Sequence, residues 1–138
     1  MAANKARVYF GLAGYNFDPD IVTQALGIEP TSTDASGMRA SLDKPAISSW
    51  ELSTETVSGE IDVYELTNEL IKQIEPVKDK IRQIMESHNL SPRVGAVLTL
   101  SCDQQENAPD VGFGARTIRF LSEIGAFINV EYKLQDRG

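Results

Sequence analysis

Four side chains suited to ligand binding lie within a short span of this sequence. Thr31 offers a hydroxyl, Asp34 a carboxylate and Arg39 a planar guanidinium that matches a carboxylate or a phosphate. Trp50 follows with a large apolar ring and one N–H donor. Together they predict a pocket for a ligand or an anchor for a partner protein. The alternative is a solvated loop, with Trp50 packed in the core.

The stretch "DVGFGARTIRFLSEIG" resembles a phosphate site, because two glycines lead into a helix with two arginines. A dinucleotide fingerprint needs a third glycine where Thr117 stands, and no P-loop lysine follows. We therefore interpret the glycines as a turn before a helix that ends at Gly125, with Arg116 and Arg119 solvated. An anion at the helix N-terminus remains the alternative interpretation.

The sequence contains few residues of the types that catalysis or metal binding requires. His88 and Cys102 are the only histidine and cysteine, whereas a zinc site needs several such ligands. If Cys102 were a nucleophile and His88 its base, a third residue would be needed to orient the histidine, and the sequence suggests none. The G-x-S-x-G motif of serine nucleophiles is also absent from the sequence. The sequence thus predicts no catalytic residue, no metal and no cofactor. An enzyme of unknown type that uses the polar loop 31–44 stays open as an alternative.

The composition predicts one soluble domain covering residues 1–138. The net charge of −7 opposes binding to nucleic acids and to anionic membranes. A single cysteine excludes an intrachain disulfide, which fits a reducing cytosol. No signal peptide is apparent, and no apolar run approaches the roughly 20 residues that span a bilayer. We therefore expect a cytoplasmic protein.

Four stretches alternate apolar and polar residues with the period of a strand: "RVYFGLAG", "SSWELST", "RVGAVLTLSC" and "FINVEYKL". Each should turn one set of side chains to the core. The predicted inward residues are Val8, Phe10, Leu12, Trp50, Leu52, Val94, Ala96, Leu98, Leu100, Ile128, Val130, Tyr132 and Leu134.

Three stretches have helical signals. "NFDPDIVTQALG" should begin after the N-cap Asp18 and end at Gly27. "DVYELTNELIKQIEPVKDKIRQIMESH" carries a continuous apolar stripe through Pro76, which favours one kinked helix over two. The third helix should bury Ile118, Leu121 and Ile124.

The order of these elements predicts an α+β fold of the ferredoxin-like type. Its sheet should have about four main strands with helices packed on it, and the long Pro-kinked helix should lie between two β-α-β units. The polar passage 29–48 separates the first helix from the Trp50 strand. We expect a long loop there, with a short edge strand near 38–42 as an alternative.

The chain resembles a widespread bacterial family catalogued as domain of unknown function 4279. The resemblance covers about residues 9–132 and rests on "FDPDIVTQALGIEPT", "SGMR", "SSWELST", "LIKQIEPVKDKI" and "LSEIGAFINVEY" in that order. It implies an α+β domain and adds no catalytic residue. It also draws attention to the "LGIEPT" turn, Arg39 and Trp50.

These observations predict a small non-enzymatic binding or interaction domain. One version is an immunity-type protein that neutralises a basic toxin through surface complementarity. Another version is a small-molecule sensor. A homodimeric structural protein that pairs sheet edges remains a further alternative. The partner is therefore an unidentified protein or small molecule, and neither a nucleic acid nor a membrane.

Overall fold

The computed structural model describes residues 3–39, 46–102 and 108–135, with the side chain of Arg39 outside the description. The strands are β1 (Lys5–Tyr15), β2 (Ser32–Asp34), β3 (Ile47–Ser53), β4 (Val57–Ser58), β5 (Ser91–Leu100) and β6 (Phe127–Leu134). The helices are α1 (Asp20–Leu26), α2 (Val63–Ile74), α3 (Lys78–His88) and α4 (Ala115–Ile124). Two 3₁₀ turns, Ser36–Arg39 and Glu75–Val77, complete the elements.

The strands form one mixed sheet in the order β2-β3-β1-β5-β6, with the short β4 also paired to β1. β1 lies antiparallel to both of its long neighbours, β3 and β5. β5 and β6 run parallel and are joined by α4. The fold is therefore α+β with one parallel strand pair at the end of an otherwise antiparallel sheet.

The helices share one face of this sheet. Alternate residues of β1 (Val8, Phe10 and Leu12) are fully buried in the same core cluster as side chains from all four helices. Trp50 of β3 lies there too, edge-on to Phe10 with ring centroids 6.5 Å apart. The period of two therefore predicted the inward faces of the central strands correctly.

The strand order differs from the ferredoxin-like arrangement expected from the sequence. That arrangement needs two β-α-β units, whereas β1 and β3 are antiparallel neighbours. Only β5-α4-β6 joins parallel strands through a helix. Alternation and helix period specify the elements but not the direction in which consecutive strands pair, and this explains the difference.

The segment around Pro76 forms two helices instead of one kinked helix. α2 ends at Ile74, the 3₁₀ turn Glu75–Val77 follows, and α3 begins at Lys78. Proline lacks the N–H for an α-helical hydrogen bond and sterically opposes the preceding turn, which explains a break at this point. Ile74 and Ile81 remain fully buried on both sides, so the apolar stripe continues across the break.

The ends of the helices follow their sequence signals closely. Gly27 and Gly125 stop α1 and α4 in the left-handed conformation, with φ of 69° and 70°. Asp62 caps α2 by accepting the Glu65 amide at 3.1 Å. α1 starts at Asp20, one residue later than predicted. The Asp18 carboxylate accepts a hydrogen bond from the Asp20 amide at 3.0 Å.

One inward assignment near the C-terminus was wrong. Ile118 of α4 is 54% exposed, and the helix instead buries Thr117 and Phe120 beside Leu121 and Ile124. On β6 the predicted face is correct, since Val130 packs against the core, but Ile128, Tyr132 and Leu134 on that face remain exposed, up to 74% for Leu134. β6 is the last strand of the sheet, so its side chains have neighbours on one side only.

The polar passage contains the short strand β2 and one 3₁₀ turn, both within residues 32–39. A short edge strand is therefore present at 32–34. Of the predicted position 38–42, residues 38 and 39 belong to the 3₁₀ turn, and residues 40–42 lie outside the described residues. Across the described part of the chain, none of the helices has the length and apolarity needed to cross a membrane.

Candidate binding site on the open sheet face

The face of the sheet opposite the helices, here called the open face, carries a depression. Alternation along β1 places Arg7, Tyr9, Gly11 and Ala13 on this face. The small residues Gly11 and Ala13 leave a hollow above the middle of the sheet. Its volume is about 330 Å³, and its walls come from Arg7, Tyr9, Gly11, Leu12, Ala13, Ile47, Ser49, Trp50, Glu51, Arg93 and Glu131.

Gly11 forms the floor of this hollow without crowding it. A Cβ atom built there would lie 3.5 Å from Cγ of Arg93 and 3.6 Å from the carbonyl oxygen of Trp50. Both are ordinary van der Waals distances, so a methyl group would fit in space that is now empty.

Tyr9 and Gly95 form one wall as a matched pair. A Cβ atom on Gly95 would lie 2.5 Å from the phenol oxygen of Tyr9 and closer still to two of its ring carbons. The Tyr9 ring therefore rests directly on the β5 backbone, and it is only 8% exposed. The Arg7 guanidinium lies 5.3 Å from the centre of this ring, within the range of a cation–π contact.

Arg7 is tied to β3 by a polar network. Its guanidinium donates to Glu51 at 2.8 Å and to the Ser53 hydroxyl at 3.3 Å. The other oxygen of Glu51 accepts from the Ser32 hydroxyl at 3.1 Å. These contacts hold both charges in place across three neighbouring strands.

Arg93 has a different environment. Its guanidinium lies 5.1 Å from the centre of the Phe127 ring. Within the described residues it forms no hydrogen bond and no ion pair. Glu131, on the neighbouring strand β6, accepts from the Asn129 amide at 3.0 Å. Arg93 thus offers a guanidinium whose donors are available to a ligand.

Among the predicted site residues whose side chains the structure describes, Trp50 borders this hollow, whereas Thr31 and Asp34 do not. Trp50 is completely buried on the helix side, where its Nε1–H donates to the Thr23 hydroxyl at 3.0 Å. Trp50 borders the open-face depression as well, where its backbone carbonyl oxygen lies near Gly11. The Trp50 ring therefore packs in the core, which is the alternative interpretation given from the sequence.

Thr31 and Asp34 serve the local structure of the sheet edge. The Thr31 hydroxyl accepts the Ser53 amide at 2.8 Å, which fastens the chain to the end of β3. Asp34 accepts from both the amide and the hydroxyl of Ser36, and these hydrogen bonds lower the pKa of the Asp34 carboxyl. Arg39 belongs to a 3₁₀ turn, and its side chain lies outside the described residues.

The stretch around Gly114 places one arginine in a defined contact. Arg116 donates to Glu75 through two nitrogens, at 2.7 and 3.0 Å, so it is not simply solvated as predicted. This guanidinium lowers the pKa of Glu75, and Glu75 in turn raises the pKa of Arg116. The pair joins α4 to the 3₁₀ turn at Pro76.

Metal chemistry and Cys–His chemistry gain no geometric support among the described residues. No group of three or more metal-binding side chains occurs in that part of the chain. His88 ends α3 just before β5 starts, whereas Cys102 follows the end of β5. The ten residues of β5 span roughly 30 Å, so the His88 and Cys102 side chains at its two ends lie too far apart to share a proton. The Cys102 thiol donates to the carbonyl oxygen of Gln135 at 2.9 Å.

The sequence did contain a signal for the open face. Arg7, Tyr9 and Gly11 recur at period two, and Arg93 and Gly95 repeat this pattern on β5. Both sets occupy the side of the strand that the hydrophobic pattern assigns away from the core. The strand order was needed to show that β1 and β5 are neighbours and bring the two sets together.

Comparison with known proteins gives one match. The family model described as "Domain of unknown function (DUF4279)" matches residues 4–135. No curated protein and no solved structure matches the chain.

Proposed function

Because the chain belongs to the DUF4279 family, whose description assigns no activity, we propose a function from the geometry of the open face: a non-enzymatic domain that binds a small molecule. The observation that carries this proposal is the guanidinium of Arg93 in the hollow above Gly11, which stacks on the Phe127 ring and forms no hydrogen bond or ion pair with the described residues. A volume of about 330 Å³ suits a small ligand. A sensor is the biological role that fits such a site.

The ligand class follows from the lining. Arg93 favours a carboxylate or a phosphate, since its planar fork can donate two parallel hydrogen bonds. Ile47, which is 50% exposed, and the backbone at Gly11 favour a compact apolar body. Glu131 offers an acceptor for a hydroxyl or amino group. We therefore propose a small organic anion that also carries a hydrogen-bond donor.

A thermal-shift screen of small carboxylates and phosphates tests the proposal, because a ligand that binds only the folded state raises its Tm. For any hit, Arg93→Ala should weaken binding roughly 10- to 100-fold in calorimetry, as the loss of charge-assisted hydrogen bonds implies. Arg82→Ala is the matched control, since it removes an exposed arginine from α3 in the helix layer. Equal weakening by both variants, or no Tm shift across the screen, would contradict the proposal.

Binding of a basic toxin is the second form of interaction domain that we propose. The net charge of −7 is the observation that favours it, because it would attract a basic partner over long range. Co-expression with a candidate toxin tests this version, and toxicity that persists would exclude that toxin as the partner. Either role is proposed for the cytoplasm, in keeping with the single cysteine.

A further inference from the structure

The outer edge of β6 is long and apolar, unlike the other end of the sheet. β6 has eight residues, whereas β2 at the opposite edge has three. Within the described part of the chain, no strand pairs with the outer side of β6. Tyr132 is 62% exposed and Leu134 is 74% exposed. Proteins usually protect such an edge, because its free backbone groups and apolar side chains attract another strand.

The direction of the free backbone groups follows from one hydrogen bond. The Gln135 amide donates to the carbonyl oxygen of Leu100 at 2.9 Å, so Gln135 faces β5. Backbone groups alternate sides along a strand. Glu131 and Lys133 therefore also face β5, whereas Val130, Tyr132 and Leu134 direct their N–H and C=O groups outward.

An antiparallel partner must match these outward groups. For two copies of β6 related by a two-fold axis, Tyr132 can stand opposite Tyr132 of the second copy as a hydrogen-bonded pair. Val130 then stands opposite Leu134 of the second copy, and the side chains of both pairs lie on the helix side. Glu131 stands opposite Lys133 of the second copy in a non-hydrogen-bonded pair, in which side chains lie closest.

This register places opposite charges next to each other and also forms the backbone hydrogen bonds. The two-fold axis repeats the Glu131–Lys133 pair, so two pairs of opposite charge form on the open face. A register centred on Glu131 would instead place two carboxylates opposite each other. A register centred on Val130 would place Glu131 opposite Asn129 and Lys133 opposite Phe127, with no pair of opposite charge.

We propose that β6 binds a second copy of this chain through antiparallel edge pairing centred on Tyr132. The two sheets then become one continuous sheet, with Tyr132 at the two-fold axis. Ile118, which is exposed on the helix that precedes β6, adds apolar surface on the helix side. The pairing shares Glu131 with the open-face hollow but does not require a bound ligand, so it can be tested without one.

Charge reversal tests both the interface and its register. The molar mass measured by light scattering over a concentration series should rise from 15.2 kDa toward twice that value. Glu131→Lys and Lys133→Glu should each weaken self-association about tenfold or more, because both pairs then carry like charges. The double variant should restore it. Lys72→Glu is the control for net charge, since Lys72 is exposed on α2.

Hydrogen exchange supplies an independent readout. The amides of Val130, Tyr132 and Leu134 should be protected only at protein concentrations at which the larger species forms. The measurements use ligand-free protein, because Glu131 also lines the open-face hollow. A wild-type mass of 15.2 kDa at every concentration would overturn the proposal. A dimer that both single reversals leave unchanged, or that the double variant fails to restore, would also overturn it.

Discussion

Replacing Gly95 with alanine tests the close contact between this residue and the Tyr9 ring on the open face. The added Cβ atom would lie 2.5 Å from the Tyr9 oxygen and closer to two ring carbons, against ordinary contacts of at least 3.4 Å. The ring must therefore move by about an ångström or more, away from a position that is only 8% exposed.

The expected cost combines two opposing effects. Overpacking of this kind costs about 1–3 kcal/mol. Replacement of a glycine restricts the unfolded chain and returns about 0.4–1 kcal/mol. The Gly95→Ala variant should thus lose about 1–2 kcal/mol in its free energy of unfolding, measured by urea denaturation. The same loss should lower Tm by roughly 3–8 °C.

Two matched variants separate this clash from a general effect of the substitution. Gly11→Ala adds the same methyl group where the nearest atom is 3.5 Å away, so it should change stability by less than about 1 kcal/mol. In a Tyr9→Ala background the ring is absent, and Gly95→Ala should then be neutral or slightly stabilising. If Gly95→Ala cost the same with and without the Tyr9 ring, our account of this wall would be wrong.

Three further substitutions test other contacts. Thr23→Val removes the acceptor of the buried Trp50 N–H and should cost about 1–3 kcal/mol in urea denaturation, so unchanged stability would refute that role. The Arg116 guanidinium lowers the pKa of Glu75, so the contribution of this pair is present above the ordinary value of 4.5 and is lost as the pH falls through the lowered pKa. Glu75→Gln should therefore cost a few tenths of a kcal/mol at pH 7, because both side chains are well exposed, and this cost should shrink as the pH falls through the lowered pKa; a cost that does not change with pH would argue against the pair. Ile118→Lys should change the free energy of unfolding by less than about 0.5 kcal/mol, whereas a loss above 2 kcal/mol would return Ile118 to the buried stripe.

The sequence predicted the central strands better than the edge. Phe10 and Trp50 have neighbours on both sides, so an apolar residue at an inward position is buried there. Tyr132 and Leu134 obey the same alternation, yet the sheet ends beside them. The hydrophobic pattern predicts the face of the sheet on which a side chain lies, whereas the extent of its burial also depends on the strand order.

The residues of the open-face hollow were harder to predict for a related reason. Thr31 and Asp34 have the residue types of a site, but their hydrogen bonds are used within the sheet edge. Arg7 and Arg93 are 86 positions apart in the sequence, and the pairing of β1 with β5 brings both to the lining of one hollow. No local pattern encodes that proximity, although each strand shows its own half of it.

The central position of β1 also affects how the protein is made. Its partner β3 ends at Ser53, but its other partner begins only at Ser91. At about 5–20 residues per second, the ribosome needs roughly 2–8 seconds to synthesise the chain between them. During that time the β5-facing edge of β1 has no strand to pair with. We expect nascent chains stalled before Ser91 to be cut readily by protease and to bind chaperones, and chains released after Leu134 to resist cleavage. β1 is thus synthesised before both of its long partners, yet it is fully enclosed only after β5 has been made.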